Sequence, residues 1–332
     1  MSLQPDAQEI QALEAVWRSQ APAGGPALDL TRPEFSAPPR PATADQVAEA
    51  LRQRLEWPQW VRLYTKPSLA VVAASRLAKA RMGAGAVIWS APGTGAPLEP
   101  GCGAPGLVML RGDWAPGAPA MRLAQTQARD AGLVLAVDES ITGLRLHPGG
   151  AAAHFGLDPD LALYGPALAG GADFAALAGR GDPPPAPAKA PSAEALAAAR
   201  GVLAMSAETD IPARLAAWGR ALALGLDFFG QKTRVSEHIG WEGPYSLPRL
   251  TGKRLWAFRE LLAEEGLRLN PLVLFDPGLD PDQAPAVLWP RLCRACNRLK
   301  VLPLGEKAPG GWSEAHGAQG LQPLAALTTA PE

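Results

Sequence analysis

Two adjacent carboxylates, Asp138 and Glu139, follow a run of five apolar residues, Leu133–Val137. An apolar run of this length is typical of a buried strand, and open parallel sheets bind ligands at the carboxyl ends of their strands. A carboxylate in that place can hydrogen-bond and ion-pair with a protonated ring nitrogen of a bound heterocycle. The alternative is that Asp138 only caps the turn after the strand. On these residues alone, the capping role is favoured.

The other reactive side chains have no spacing that predicts a site. Cys293 and Cys296 form one C-x-x-C inside the helix-like run Trp289–Leu299, and no second pair completes a zinc shell. Two cysteines on one helix face is the favoured interpretation. The glycine-rich stretches Gly93–Gly95 and Gly101–Gly106 lack the strand and helix that frame a nucleotide loop. The histidines also lack metal-ligand spacing; they are His147, His154, His238 and His316. We therefore predict no metal site.

An alternation of helices and short apolar strands must position these side chains. We predict strands at Val61–Tyr64, Ala86–Trp89, Leu107–Leu110, Leu133–Val137 and Leu161–Tyr164, and helices at Asp6–Trp17, Thr43–Glu56, Ser68–Met82 and Ala118–Ala131. The stretch Ala21–Pro41 is rich in Pro and Gly and is expected to be irregular. Strands that are apolar throughout and separated by helices imply a mainly parallel sheet covered on both faces.

The second half of the chain predicts a smaller α+β domain. Its predicted elements are helices at Ala193–Ala204, Pro212–Phe229, Gly252–Glu265 and Ala284–Leu299, with strands at Val235–Trp241 and Leu267–Leu269. We divide the chain into an N-terminal helix with an irregular segment (1–42), a large domain (43–180), a Pro-rich linker (181–191), the remainder with the small domain (192–302) and a loose tail (303–332).

Charge and composition exclude several classes of partner. Lys plus Arg number 31 against 32 Asp plus Glu, a net charge of −1, which is unlike a nucleic-acid or acidic-membrane binder. We find no signal-peptide pattern at the N-terminus and no apolar stretch long enough to span a bilayer. Three cysteines fit a reducing compartment. The expected location is the cytoplasm, with no nucleic-acid or membrane partner.

A series of short motifs occupies the segment from Leu133 to Arg180. They are, in order, Asp138-Glu139-Ser140-Ile141-Thr142-Gly143-Leu144-Arg145, Gly149-Gly150-Ala151, Phe155-Gly156-Leu157-Asp158-Pro159-Asp160-Leu161, and Gly165-Pro166 before Gly170-Gly171. In order and spacing they resemble the class III (subgroup II) aminotransferases, most closely the glutamate-1-semialdehyde aminomutases. A weaker resemblance, with gaps, extends over Thr43–Leu299.

The resemblance implies a fold, a cofactor and a dimeric assembly. The fold is that of the fold-type I transferases that depend on pyridoxal 5′-phosphate (PLP), an α/β fold with a mainly parallel sheet flanked by helices and a smaller α+β C-terminal domain. In the family a lysine carries PLP as a Schiff base. The matching position here is Pro166, which has no amine, so we predict no catalytic residue. The lysines are Lys66, Lys79, Lys189, Lys232, Lys253, Lys300 and Lys307, and we expect none to follow a strand as the family's lysine does.

The phosphate contacts that the resemblance implies are also altered. The family's S-G-T turn binds phosphate at a helix N-terminus and is matched here by Lys66-Pro67-Ser68. Pro67 removes a backbone donor, whereas Ser68 keeps a hydroxyl. The threonine that reaches the partner subunit's phosphate in the family is absent near Ala188–Ala193. Ser68 is the one residual phosphate contact that we predict.

The contacts to the cofactor ring are reduced in the same way. The family's stacking aromatic is missing from the matching Ser90-Ala91-Pro92-Gly93, and Ser140 stands where the family has an aliphatic residue behind the ring. Asp138 is either a residual partner of the pyridine nitrogen or a turn residue held by local hydrogen bonds, and we favour the turn role. The implied cofactor is therefore PLP, with Asp138, Ser68 and Ser140 as its residual ligands.

Three functions fit these observations. The first is a catalytically inactive relative that acts by binding, as a homodimer, as a heterodimer with an active aminotransferase or with another protein. The second is a PLP-dependent transaminase or aminomutase with a degenerate active site. The third is a small-molecule binding protein that uses the emptied cleft.

Overall fold

The computed structural model of the chain describes residues 4–20, 27–32, 34–82, 86–90, 105–111 and 118–302. The helices in these ranges are α1 (Ala7–Ser19), α2 (Ala44–Leu55), α3 (Pro67–Met82), α4 (Ala118–Asp130), α5 (Gly150–Phe155), α6 (Ala193–Glu208), α7 (Ile211–Thr233), α8 (Leu255–Glu264) and α9 (Ala284–Val301). The strands are β1 (Leu28–Leu30), β2 (Trp60–Tyr64), β3 (Ala86–Ser90), β4 (Pro105–Arg111), β5 (Val134–Asp138), β6 (Leu161–Tyr164), β7 (Ala175–Gly179), β8 (Gly240–Glu242), β9 (Arg249–Thr251) and β10 (Leu267–Leu269). Short 3-10 helices span Pro166–Ala169 and Pro281–Gln283.

A six-stranded sheet forms the centre of the larger of two compact units, which takes in the described residues between Arg32 and Ala213. Its strand order is β2-β7-β6-β5-β4-β3. The four strands from β6 to β3 are parallel, whereas β7 runs antiparallel to both of its neighbours. The prediction of a mainly parallel sheet flanked by helices is confirmed.

Helix α3 covers one face of this sheet with small side chains. Ala70, Ala74 and Ala78 recur every four residues, so they lie on one side of the helix, and all three are fully buried. They pack with Met109 of β4 and Leu163 of β6 in the main apolar cluster. Because alanine has only a methyl group, the helix backbone can approach the strands closely, and this fixes where the first turn of α3 lies.

The smaller unit takes in the described residues up to Arg32 and from Ala213 onward. It contains a parallel pair, β1 with β10, and an antiparallel pair, β8 with β9. The units divide after Arg32 and after Pro212, whereas composition placed boundaries at residues 42 and 180. The predicted tail, 303–332, lies outside the described residues. No helix in the described ranges combines the length and apolarity needed to cross a bilayer.

The predicted and observed secondary structure differ in the following three segments. The strand β7 has the sequence Ala-Ala-Leu-Ala-Gly and was not expected, because alanine-rich segments favour helix. The strand expected at Val235–Trp241 is restricted to β8, since residues 236–238 form a turn. The irregular stretch Ala21–Pro41 contains β1, which its register with β10 stabilises.

Candidate functional site

The carboxyl ends of three strands meet at one edge of the large sheet. Strands β5 and β6 are parallel, and β2 has the same direction as β6 because both are antiparallel to β7. The edge therefore receives Asp138 from β5, Pro166 just after β6, and Ser68 in the first turn of α3 after β2. The structure thus brings the sequence-predicted site residues to one edge within the larger unit.

Asp138 is the last residue of β5, and its side chain is buried. Its Oδ1 accepts a hydrogen bond from the backbone N–H of Ser140 at 2.9 Å. In the neighbouring strand β4, Arg111 is the register partner of Asp138, so an opposite charge stands beside the carboxylate at the same edge. The bond to Ser140 is of the local kind that a turn residue makes.

Ser140 lies beside the position that matches the family's lysine. A Cβ added to Gly165 would come within 3.0 Å of the Ser140 Cβ, so the two residues are packed closely. The next residue, Pro166, opens a 3-10 helix, and its carbonyl accepts the backbone N–H of Gly171 at 2.9 Å. The residue that matches the family's lysine is thus the first residue of a short helix. It has a proline ring in place of a side chain with an amine.

The first turn of α3 offers few donors to a phosphate. Pro67 has no N–H, and the N–H of Leu69 already donates to the carbonyl of Lys66 at 3.1 Å. Ser68 contributes its hydroxyl to this turn. The expectation that no lysine follows a strand was wrong, because Lys66 lies two residues beyond the end of β2, as Pro166 does beyond β6. Lys66 is exposed.

Glu139, which was not among the predicted cofactor ligands, holds the end of β5 to the elements that follow it. Its carboxylate is buried and accepts three hydrogen bonds, from Thr142 Oγ1 at 2.6 Å and from the backbone N–H groups of Ala151 at 2.8 Å and Ala152 at 2.9 Å. Burial raises the pKa of this carboxyl, although the three hydrogen bonds oppose the shift. Glu139 therefore joins the end of β5 to the first turn of α5. In the sequence, the Gly-Gly-Ala motif, which ends twelve residues after Glu139, was the signal from which these contacts could have been predicted.

Gly150 shows why this motif needs glycine. Its φ is +80°, a conformation that side chains with a Cβ rarely adopt, and an added Cβ would lie 2.5 Å from Glu139 Oε1. Gly143 is similarly confined, because a Cβ there would lie 2.8 Å from both the Glu139 carbonyl oxygen and Tyr164 Cδ1. Arg145 is fully buried, with its guanidinium 4.4 Å from the centre of the Phe35 ring. Most of the motif series thus has a packing role.

The residues at the sheet edge do not fit a Schiff-base cofactor. Pro166 has no amine, the α3 turn lacks one donor and uses another internally, and Asp138 already accepts a hydrogen bond from its own turn. The aldehyde of PLP would therefore meet no amine at position 166, and its phosphate would meet a turn with fewer backbone donors.

The cysteines and histidines that the sequence analysis considered are buried or held by local contacts in the described ranges. Cys293 and Cys296 are buried on α9, and burial raises the pKa of both thiols. His147 Nδ1 accepts the N–H of Gly149 at 2.9 Å, and the His154 ring lies edge-on to Phe155 at 4.8 Å. Among the described residues no group of three or more side chains could hold a metal ion. His316 and most of the two glycine-rich stretches lie outside those residues.

Comparison with known proteins gives a short sequence match. No family model matches the chain. The glutamate-1-semialdehyde 2,1-aminomutase of Psychrobacter cryohalolentis is 47% identical over 51 residues, which are 15% of this chain and 12% of that protein. The protein of the same name from Thermus thermophilus is 50% identical over 54 residues, 16% of this chain and 13% of that protein. The matches thus cover a small part of these curated relatives.

Solved structures match over most of the chain. The PLP internal aldimine form of FumI from Sphingopyxis sp. MTA144 has a TM-score of 0.65 at 19% identity, covering 87% of this chain and 80% of that one. The N-acetylornithine aminotransferase of Stenotrophomonas maltophilia has a TM-score of 0.61 at 18% identity, covering 89% and 86%. At such identities the likeness shows the fold. The chain therefore has the fold of the PLP-dependent aminotransferases, and over a short segment its sequence is similar to the glutamate-1-semialdehyde aminomutases.

Proposed function

We propose that this protein is a catalytically inactive relative of the aminotransferases and acts by binding another protein. The observation that carries the proposal is Pro166, the first residue of a 3-10 helix at the position of the family's lysine. Transimination requires a primary amine at that position, and proline has none. We place the protein in the cytoplasm as part of the same proposal.

The contacts of the retained carboxylates support this proposal. Asp138 accepts a hydrogen bond from Ser140, and Glu139 accepts three from Thr142 and the first turn of α5. Each carboxylate therefore has a role in holding the loop after β5, and this role needs no cofactor. The retention of these motifs is compatible with the loss of catalysis.

The test is to measure cofactor binding directly. The full chain is purified with excess PLP, desalted and scanned for visible absorbance, then treated with borohydride and mapped by peptide mass spectrometry. We expect no retained absorbance and no reduced adduct on any lysine. An adduct at one defined lysine in most molecules would contradict the proposal.

A matched variant tests whether the proline alone prevents binding. Pro166→Lys restores an amine at the family's position, and Pro183→Lys adds one at an exposed position in the loop after β7 as a control for nonspecific labelling. If the altered phosphate turn and ring contacts matter as we infer, Pro166→Lys gains no more than weak labelling. Strong, stoichiometric labelling of Pro166→Lys and not of the control would show that the proline alone prevents PLP binding.

One observation favours a second function, a PLP enzyme with a relocated amine. Lys66 lies at the same sheet edge as Asp138 and Ser68, two residues beyond β2. In that case borohydride would attach PLP to Lys66, and Lys66→Ala would lose the label while Lys79→Ala, in the last turn of α3, would keep it.

An exposed apolar pair supports the binding role. Leu69 and Val72 lie one turn apart on α3 and have relative exposures of 48% and 43%. They stand beside Ser68, at the sheet edge where the family's site residues would lie. We propose that this surface meets a second copy of this chain or an active aminotransferase.

A further inference from the structure

A second concave site lies within the larger unit, between α2 and α6 and away from the sheet edge. The cavity has a volume of about 430 Å³, which is within the range of small-molecule sites. Three guanidinium groups line it: Arg54 from α2, Arg200 from α6 and Arg40 from the segment before α2. The backbone N–H of Arg40 donates to the carbonyl of Ala197 at 2.9 Å, which fixes that segment on α6.

The three arginines differ in their partners. Arg40 forms an ion pair with Glu208 at 2.9 Å, so its charge is compensated. The Nε atom of Arg54 is buried and has no hydrogen-bond acceptor among the described residues. Arg200 has no carboxylate partner in the same part of the chain. Glu56 also lines the cavity, and together with Glu208 it leaves three positive charges against two negative ones.

A buried guanidinium N–H without an acceptor costs free energy that an anionic ligand recovers. Guanidinium groups bind carboxylate and phosphate oxygens with a matching planar geometry. Beside the charged residues and Gln53, the lining has an apolar part, which includes Leu203, Ala204 and Ala207 of α6. A ligand that satisfies both parts carries an oxyanion on a compact apolar body.

We propose that this cavity binds a small organic oxyanion, a carboxylate or a phosphate ester, through Arg54 and Arg200. A volume of about 430 Å³ matches a small molecule better than an extended acidic peptide. The proposal is independent of the inactive-homologue function, because it uses none of the residues at the sheet edge.

The test uses titration calorimetry on the full chain with benzoate, phenyl phosphate and neutral benzamide as probes. We expect at least one anionic probe to bind, with benzamide at least tenfold weaker. Benzoate represents the carboxylates and phenyl phosphate the phosphate esters. The probe that binds more tightly therefore shows which of the two ligand classes the cavity prefers. An acidic peptide that binds while both small anions fail would overturn the proposal in favour of a protein partner.

Variants assign the binding to the cavity. Arg54→Gln and Arg200→Gln should each weaken the anionic probe about tenfold, the value of one charge-assisted hydrogen bond. Arg52→Gln is the matched control, since Arg52 lies on the same helix but pairs with Glu49 at 2.7 Å and does not line the cavity. Circular dichroism checks that each variant folds, and Arg200→Gln retains the test if Arg54→Gln does not. Equal weakening by all three variants, or no binding of either anion, contradicts the site.

Discussion

At the scale of single residues, the sequence indicated Asp138 as the candidate ligand, whereas the structure shows that Glu139 holds the loop after β5. Asp138 accepts a hydrogen bond from its own turn, and Glu139 accepts one from Thr142 in the loop and two from α5. The sequence placed both at the end of a strand, because an apolar run of five residues is a local signal. It could not show the partners of Glu139, since these lie on residues 142, 151 and 152 and meet it only after the loop folds.

The Glu139 contacts predict a clear loss of stability in Glu139→Gln. Each carboxylate oxygen accepts a backbone N–H, so the amide group of glutamine would turn its NH2 toward one of these donors. We expect the free energy of unfolding to fall by about 1–3 kcal/mol in urea titrations at neutral pH. Glu49→Gln, at an exposed residue of α2, is the control and should leave the midpoint unchanged. Equal midpoints for Glu139→Gln and the unaltered protein would refute this role of Glu139.

At the scale of elements, the capped helix α2 and the apolar strands of the large sheet were predicted, whereas the alanine-rich strand β7 was not. The helix predicted from Thr43 begins with a capping box, in which the Thr43 hydroxyl accepts the N–H of Gln46 while the Gln46 side chain accepts that of Thr43. In contrast, β7 becomes a strand because it fits between β2 and β6. Pairing of this kind depends on residues far away in sequence, and an alanine-rich window contains no sign of it.

Two glycines around α5 allow a controlled comparison. Gly150→Ala places a methyl group at positive φ and 2.5 Å from Glu139 Oε1, so it combines backbone strain with overpacking. Gly156, at the other end of the helix, also has a positive φ, but an added Cβ would meet nothing within 4 Å. We expect Gly156→Ala to cost about 1 kcal/mol in unfolding free energy and Gly150→Ala about 2–4 kcal/mol. Similar costs for the two variants would show that the contact with Glu139 is unimportant.

Asp158 links three elements and predicts a pH dependence. It lies in the loop before β6 and forms ion pairs with Arg129 of α4 at 2.7 Å and with Arg180, just after β7. Burial opposes ionisation of this carboxyl, but the hydrogen bonds and charges of Arg180 and Arg129 outweigh it and hold the pKa below its ordinary value. A lowered folded-state pKa stabilises the protein above the unfolded pKa of about 4, and the contribution is lost as the pH falls through the folded value.

Asp158→Asn should therefore be less stable than the unaltered protein at pH 7, by less than about 1 kcal/mol because the pair is half-exposed. The difference should shrink as the pH is lowered from 5 toward 3. Thermal melts across this range, with Asp182→Asn in the loop after β7 as the control, measure the trend. A difference that stays constant or grows with acidity contradicts the ion-pair assignment.

At the scale of the whole molecule, the exposed pair on α3 predicts a homodimer. The chain mass is 34.6 kDa, so light scattering of the full chain should give about twice that value. Leu69→Glu introduces a charge into the proposed contact without harming the helix, because acidic residues are favoured in a first turn. We expect this variant to elute as a monomer, whereas Leu123→Glu, at a more exposed leucine on α4, should remain dimeric. A monomer for the unaltered chain would exclude the homodimer.

The hydrogen bonds that hold the loop after β5 have a consequence for assigning activities from genome sequences. A search pattern built on Asp138, Glu139 and the Gly-Gly-Ala turn detects how the loop folds, because those residues bond to one another. A chain can therefore satisfy the pattern without an amine at position 166, as this one does. Position 166, where one side chain decides whether an amine is present, is the better diagnostic for Schiff-base chemistry.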